Sequence, residues 1–218
     1  MPTPQLLESL PDPEELRRRS IVLAALDAVM TTGASKYMYR PGWRTDESLA
    51  SMDNGAGDEY SIVFGPNGTY IRGFDHESVM NTYDRAEAAL WPGLTDHLPA
   101  VFRSYTDDFT LDGVPTMTVC LWWAVGDSSW NCSDFADPDG DVYADGASWM
   151  FGALTDWTLD GFLDHAAYYG CEMSPAVAHH LMASLPLTDE HIAVLNPAAD
   201  ATGVLADVEA LRYPVQAD

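Results

Sequence analysis

The segment 116–126, TMTVCLWWAVG, constrains the fold more than any other stretch of the chain. Side chains alternate along a strand, so Met117, Val119, Leu121, Trp123 and Val125 share one face. Thr118, Cys120, Trp122 and Ala124 share the other. Both faces are largely apolar, and such a strand needs packing layers above and below it. It reads as a central strand, about 116–125. The segment EYSIVFGPNGTYIRGF adds a β-hairpin: Tyr60, Ile62 and Phe64 alternate with small or polar neighbours, Pro66-Asn67-Gly68 turns, and Tyr70 to Phe74 returns. DSSWNCSDF supplies a neighbouring strand after a turn at Gly126-Asp127.

Helix signals flank this sheet. Asp12 reads as an N-cap, with Pro13 at the first helical position and Glu15 behind it. The run from Ile21 to Met30 is apolar nearly all round, which marks a buried helix ending near Gly33. Arg17, Arg18 and Arg19 fan around this helix and read as a solvated collar. Tyr37 to Asp58 is rich in Gly and Pro and reads as loop. A short helix capped by Thr95 follows Pro92-Gly93, and another covers about 148–154. Thr158, Ser174 and Thr188 each open a helix in the last third, closed by Gly170 and by Asn196-Pro197. The expectation is an α+β fold: a small, mostly antiparallel sheet enclosed by helices, in a single domain spanning 1–218. Residues 1–11 are expected to form a flexible N-terminal arm.

Charge narrows the range of functions. Thirty-four acidic residues oppose ten basic ones, giving −24, and Lys36 is the sole lysine. Such a field repels phosphate backbones and anionic lipid surfaces, so neither nucleic acid nor membrane is an expected partner. A basic protein partner, a cation or a high-salt cytoplasm suits it. A genome rich in G and C also yields acidic, lysine-poor proteins without special purpose. Cys120, Cys132 and Cys171 form no C-x-x-C knuckle and imply neither a disulfide framework nor a zinc ribbon. No basic leader and no apolar run of membrane-spanning length is present, so a cytoplasmic location is expected. The oligomeric state is not legible.

Four features bear on chemistry. In GFDHES, Asp75, His76 and Glu77 are adjacent; the Asp75 carboxylate can accept from the amide of Glu77 or Ser78, a local turn. Neighbouring side chains then diverge, and His76 with Glu77 is left as a candidate acid–base pair. In DPDGDVYADGAS, Asp137, Asp139, Asp141 and Asp145 imitate the start of a calcium loop, yet Val142 replaces the required Gly and Ser148 the required Glu. The pair His179 and His180 diverges by about 100° on a helix and makes no i, i+4 metal pair. Seven tryptophans supply core area, and an exposed one beside acidic loops would mark an interface or ligand. Phosphate-loop, dinucleotide and nucleophile-elbow fingerprints are absent, and no cofactor is expected.

In order, GFDHES, WPG, CLWW followed by D and W, DG(A)S, PLTDEHI with LNP, and RYP resemble an uncharacterised family of bacterial cytosolic proteins. The resemblance runs from about Tyr60 to Pro214. It implies that Asp75, His76, Glu77, Trp91, Trp123, Trp130, Asp145 and Gly146 lie at matching positions, and it carries no chemistry. Ala147, between Gly146 and Ser148, and Asn81-Thr82 depart from the pattern. The expected binding residues are Asp75, His76, Trp91, Trp123, Trp130 and Asp145. The expected function is a non-enzymatic acidic interaction protein, of the immunity or inhibitor kind, that binds a basic partner. A small-ligand binder or hydrolase built on His76, Glu77 and a Trp is the alternative, and a weak calcium module at 137–145 the third.

Overall fold

A computed structural model describes residues 4–31, 33–83, 89–111, 114–135 and 144–216. Helix α1 (Pro4–Ser9) precedes α2 (Pro13–Met30). The Asp12 carboxylate caps α2 by accepting from the Glu14 and Glu15 amides at 2.9 and 3.0 Å. Val22 through Leu26 of α2 are all buried, as its all-round apolar sequence requires. Within 1–11, where the sequence suggests an arm, Pro4–Ser9 form α1 and the side chains of Leu6 and Leu10 are buried; apolar groups of this size gain more by packing than by solvation.

The strands are β1 (Tyr37–Arg44), β2 (Glu47–Asp53), β3 (Glu59–Gly65), β4 (Gly68–Phe74), β5 (Thr110–Leu111), β6 (Val114–Pro115), β7 (Val119–Ala124) and β8 (Asn131–Cys132). Six make one sheet in the order β1-β2-β3-β4-β7-β8, every pair antiparallel, while β5 and β6 pair separately. The fold is therefore α+β. Two details differ from the sequence reading. Tyr37 to Asp58 is mostly a hairpin rather than loop; Pro41 and Gly42 fall in edge strand β1, where the register shifts and a missing N–H costs little. Strand β7 is an interior strand but the fifth of six, one place from the edge, with the two-residue β8 outside it.

Cover on both faces of β7 is what the structure has. Val119 and Leu121 join Ile62, Phe64 and Ile71 against α2 and the C-terminal helices. Cys120 and Trp122 join Val63 and Tyr70 on the other face, under Leu98, Phe102 and Tyr105 of the segment between β4 and β7. Each such side chain contributes about 1.5–3 kcal/mol by leaving water. Met117 packs with Cys120 and Trp122 rather than with Val119, because the regular strand begins only at Val119. Val125, expected beside Trp123, lies past the strand end and is exposed. A 3₁₀ helix (Ala100–Asp107) stands close to where the Thr95 helix was expected.

After β8 come α3 (Ala147–Met150), α4 (Gly152–Thr155), α5 (Leu159–Ala167), α6 (Pro175–Met182), α7 (Asp189–Leu195) and α8 (Ala201–Ala210). Thr158, Ser174 and Thr188 cap α5, α6 and α7 through their hydroxyls. The arginine collar is a joint. Arg18 donates to the Met182 carbonyl and the Ser184 hydroxyl, Arg19 to the Leu154 carbonyl at 2.7 Å, and Glu15 pairs with both. Only Arg17 of the three is exposed.

Candidate functional site

Antiparallel pairing brings the start of β1, the end of β2, the start of β3, the end of β4 and the start of β7 to one end of the sheet. That end carries Lys36, Asp53, Asp58, Glu59, Asp75, His76 and Glu77. The register of β3 on β4 pairs Glu59 with Phe74, so Asp58 and Asp75 meet one step beyond the ladder. Asp58 is buried. Its Oδ1 accepts from the His76 amide at 3.0 Å and pairs with His76 Nδ1 at 2.7 Å, and its Oδ2 accepts from Asn54 at 2.6 Å. Gly57, at φ +110°, lies against the imidazole, where an added Cβ would stand 3.1 Å from His76 Cγ.

These contacts set the charge states. The hydrogen bond that His76 donates to the Asp58 carboxylate raises the His76 pKa above its ordinary value. Burial pushes the Asp58 carboxyl up, but the bonds from His76 and Asn54 outweigh it and leave the group below the usual range. Asp75 has other hydrogen-bond partners. Its Oδ1 accepts from the Glu77 amide at 2.9 Å, as the sequence implied, and its Oδ2 from Trp149 Nε1 at 3.2 Å. Glu77 points to solvent. Thr118 Oγ1 accepts from the Asp75 amide at 3.1 Å and donates to the Asp145 carbonyl at 2.8 Å, and Ser78 Oγ donates to the Ala144 carbonyl. The segment before α3 is thereby clamped on the turn after β4. Gly146, at φ +74°, packs on Asp75 so closely that a Cβ would overlap the carboxylate. Asp145 is buried behind it. Burial raises its pKa, and its Oδ2 has no hydrogen-bond partner among the described residues.

The expected binding residues therefore separate. Asp75, His76 and Asp145 gather at this end of the sheet. Trp91 packs against the core on the Tyr70 face. Trp123 and Trp130 meet edge to face at 5.6 Å near the opposite end, where Trp130 Nε1 donates to the Pro11 carbonyl. Asp137, Asp139 and Asp141 lie outside the described residues. Sequence reasoning missed Asp58 and Trp149. Carrying the hairpin register one step past Glu59 and Phe74 would have found Asp58; Trp149 had no local signal.

One imidazole and two carboxylates, from Asp58, Asp75 and His76, offer ligand atoms within 4.8 Å of one another. A first-row divalent ion suits that donor set, and at Nδ1 it would compete with the proton. The acid–base reading of His76 and Glu77 needs an enclosed cavity. Five of the surface clefts, of about 270–490 Å³, have linings that include neither residue. Among the described residues, no helix is long and apolar enough to cross a membrane. Searches against protein-family models, curated proteins and solved structures gave no match.

Proposed function

We propose that the protein is a non-enzymatic binding protein that engages a basic protein partner through the acidic end of its sheet. One observation carries the reading: carboxylates of Asp53, Asp58, Glu59, Asp75 and Glu77 gather there, flanked by two exposed aromatic rings, Tyr168 beside Lys36 and Trp149 beside Asp75. Two of these carboxylates are already met, Glu59 by Arg72 and Asp58 by His76, and Lys36 stands at the same end; Asp53, Asp75 and Glu77 have no basic side chain paired with them among the described contacts, while Arg18, Arg19 and Arg44 are held elsewhere by Glu15 and Asp108. A negative end of this kind steers a cationic partner, and half-exposed aromatic rings supply anchors. Hydrolysis at His76 and Glu77 has less support, because His76 stands on an exposed turn and no nucleophile faces its Nε2 among the described contacts.

Affinity capture from the source cells, with washes of graded salt, tests the proposal. The expected result is a partner of high isoelectric point whose retention falls with salt. D53K/E77K and W149A should each weaken its binding about tenfold or more. Capture of no basic partner, or binding indifferent to salt and to both variants, would refute it.

A further inference from the structure

The flank of the acidic sheet end holds a cleft of about 270 Å³, lined by Asp27, Lys36, Asp53, Asn54, Tyr168 and Tyr169 among others. Asp27 lies in α2 and is fully buried. Its Oδ1 accepts from the Tyr169 hydroxyl at 2.7 Å and from the Lys36 amide at 3.2 Å. These bonds tie α2, the lead into β1 and the end of α5 together, which gives Asp27 a structural role. They leave Oδ2 without a partner among the described residues, in a residue that lines the cleft. An unmade hydrogen bond to a buried carboxylate is costly, so a donor that reached Oδ2 would be held, although the atom is itself closed to solvent and reaching it requires the cleft to open.

The walls say which donor. Tyr168 and Tyr169 stand at 88° to one another with centroids 6.0 Å apart, the corner of an aromatic cage. Tyr168 is 70% exposed and open to a visitor. The Lys36 ammonium already lies over two rings, 4.3 Å from the Tyr168 centroid and 5.5 Å from that of Tyr37. Asp27 acts on the Lys36 ammonium and Asp53 lines the same cleft, so two carboxylates stand there against one ammonium, and a second cation is favoured over an anion. Ring faces with carboxylates at their edge recognise ammonium and guanidinium groups. Burial lowers the Lys36 pKa, so its charge is held at a desolvation cost that an entering cation can relieve by releasing it to water.

We infer that this cleft receives a lysine or arginine side chain of the partner, with Lys36 as a resident occupant that swings out when the visitor enters. The inference rests on the proposed engagement of a basic protein. Asp53 and Asn54 bound the cleft on one side, and Asn54 reaches Asp58 of the acidic end on the other, so one partner surface spans both.

Amide NMR of the intact protein, titrated with N-acetyl-lysinamide and N-acetyl-argininamide, tests it without the partner. N-acetyl-norleucinamide is the neutral control. Shifts should centre on Ser35, Lys36, Gly55 and Tyr168, and the neutral analogue should give none. K36M should tighten binding about tenfold by removing the competing ammonium, and Y168A should abolish it. Y168A alters an exposed ring and leaves the Asp27 bonds intact, so its folding is a fair control. Equal response to the neutral analogue, or unchanged binding in Y168A, would overturn the inference, as would no response in either wild type or K36M at millimolar ligand. The two readings fail separately. A basic partner recovered equally well by Y168A would leave docking standing and remove the cage. Lysinamide binding in the cleft, with no basic partner captured, would do the reverse.

Discussion

His76 and His165 are pulled in opposite directions by their surroundings, and each gives a pH signature. His76 keeps its proton past the ordinary pH because Asp58 accepts from it. Its contribution to stability is complete below the unfolded value of 6.5 and is lost as pH rises through the raised folded value. Asp58, held low, contributes above its unfolded 3.8 and loses that contribution as pH falls through the folded value. An NMR titration should therefore place the His76 midpoint above 6.5, and D58N should return it toward that value. His165 is packed edge-on between Tyr37 and Tyr169, with Nε2 buried and without a hydrogen-bond partner among the described residues, and burial lowers its pKa from 6.5 to about 4. Between those values the unfolded chain binds a proton that the folded one refuses. Stability thus falls as pH drops through that window, by at most about 3 kcal/mol from this group. Urea unfolding of wild type and H165F at pH 7 and pH 4.5 checks it: the variant should lack that part of the decline.

At the scale of elements, what was legible had local causes. Asp12-Pro13 and the apolar run behind it wrote α2 into the sequence, and alternation around Pro66-Asn67 wrote the β3–β4 hairpin. D12A should cost about 1 kcal/mol, because two amides lose their acceptor, and a denaturant midpoint reads it directly. Strands β1 and β2 were obscured by Pro41 and Gly42, residues that an edge strand tolerates and an interior one does not. Helix α8 went unread: after Asn196-Pro197 its residues carry no side-chain cap and only Val208 is fully buried. The candidate site was half legible. Asp75 and His76 stood out as neighbours, whereas Trp149 reaches Asp75 from a distant helix, and Asp27 meets Tyr169 across two helices. No local period encodes such meetings. The joint between them offers its own test. G146A places a methyl against the Asp75 carboxylate at a positive φ, and should cost about 2–3 kcal/mol. It should also free Trp149, seen as a change in indole fluorescence that D75N reproduces at smaller cost.

For the molecule as a whole, net charge of −24, with Arg18, Arg19, Arg44 and Arg72 already paired, means that like charges repel across the folded surface. Added sodium chloride should raise the melting temperature by screening that repulsion, while the same salt weakens capture of a basic partner. Scanning calorimetry over an ionic-strength series reads the first effect. The sheet has a further property of its connectivity. Strands β1 to β4 follow one another in the chain and pair in that order, whereas β7 pairs with β4 only after the whole segment 75–118 has been bridged. The first four strands can zip from short turns; closing the long excursion costs more chain entropy and comes later. The Asp75–Thr118–Asp145 clasp joins the two ends of that excursion, so it snaps shut only when the chain has finished its longest journey.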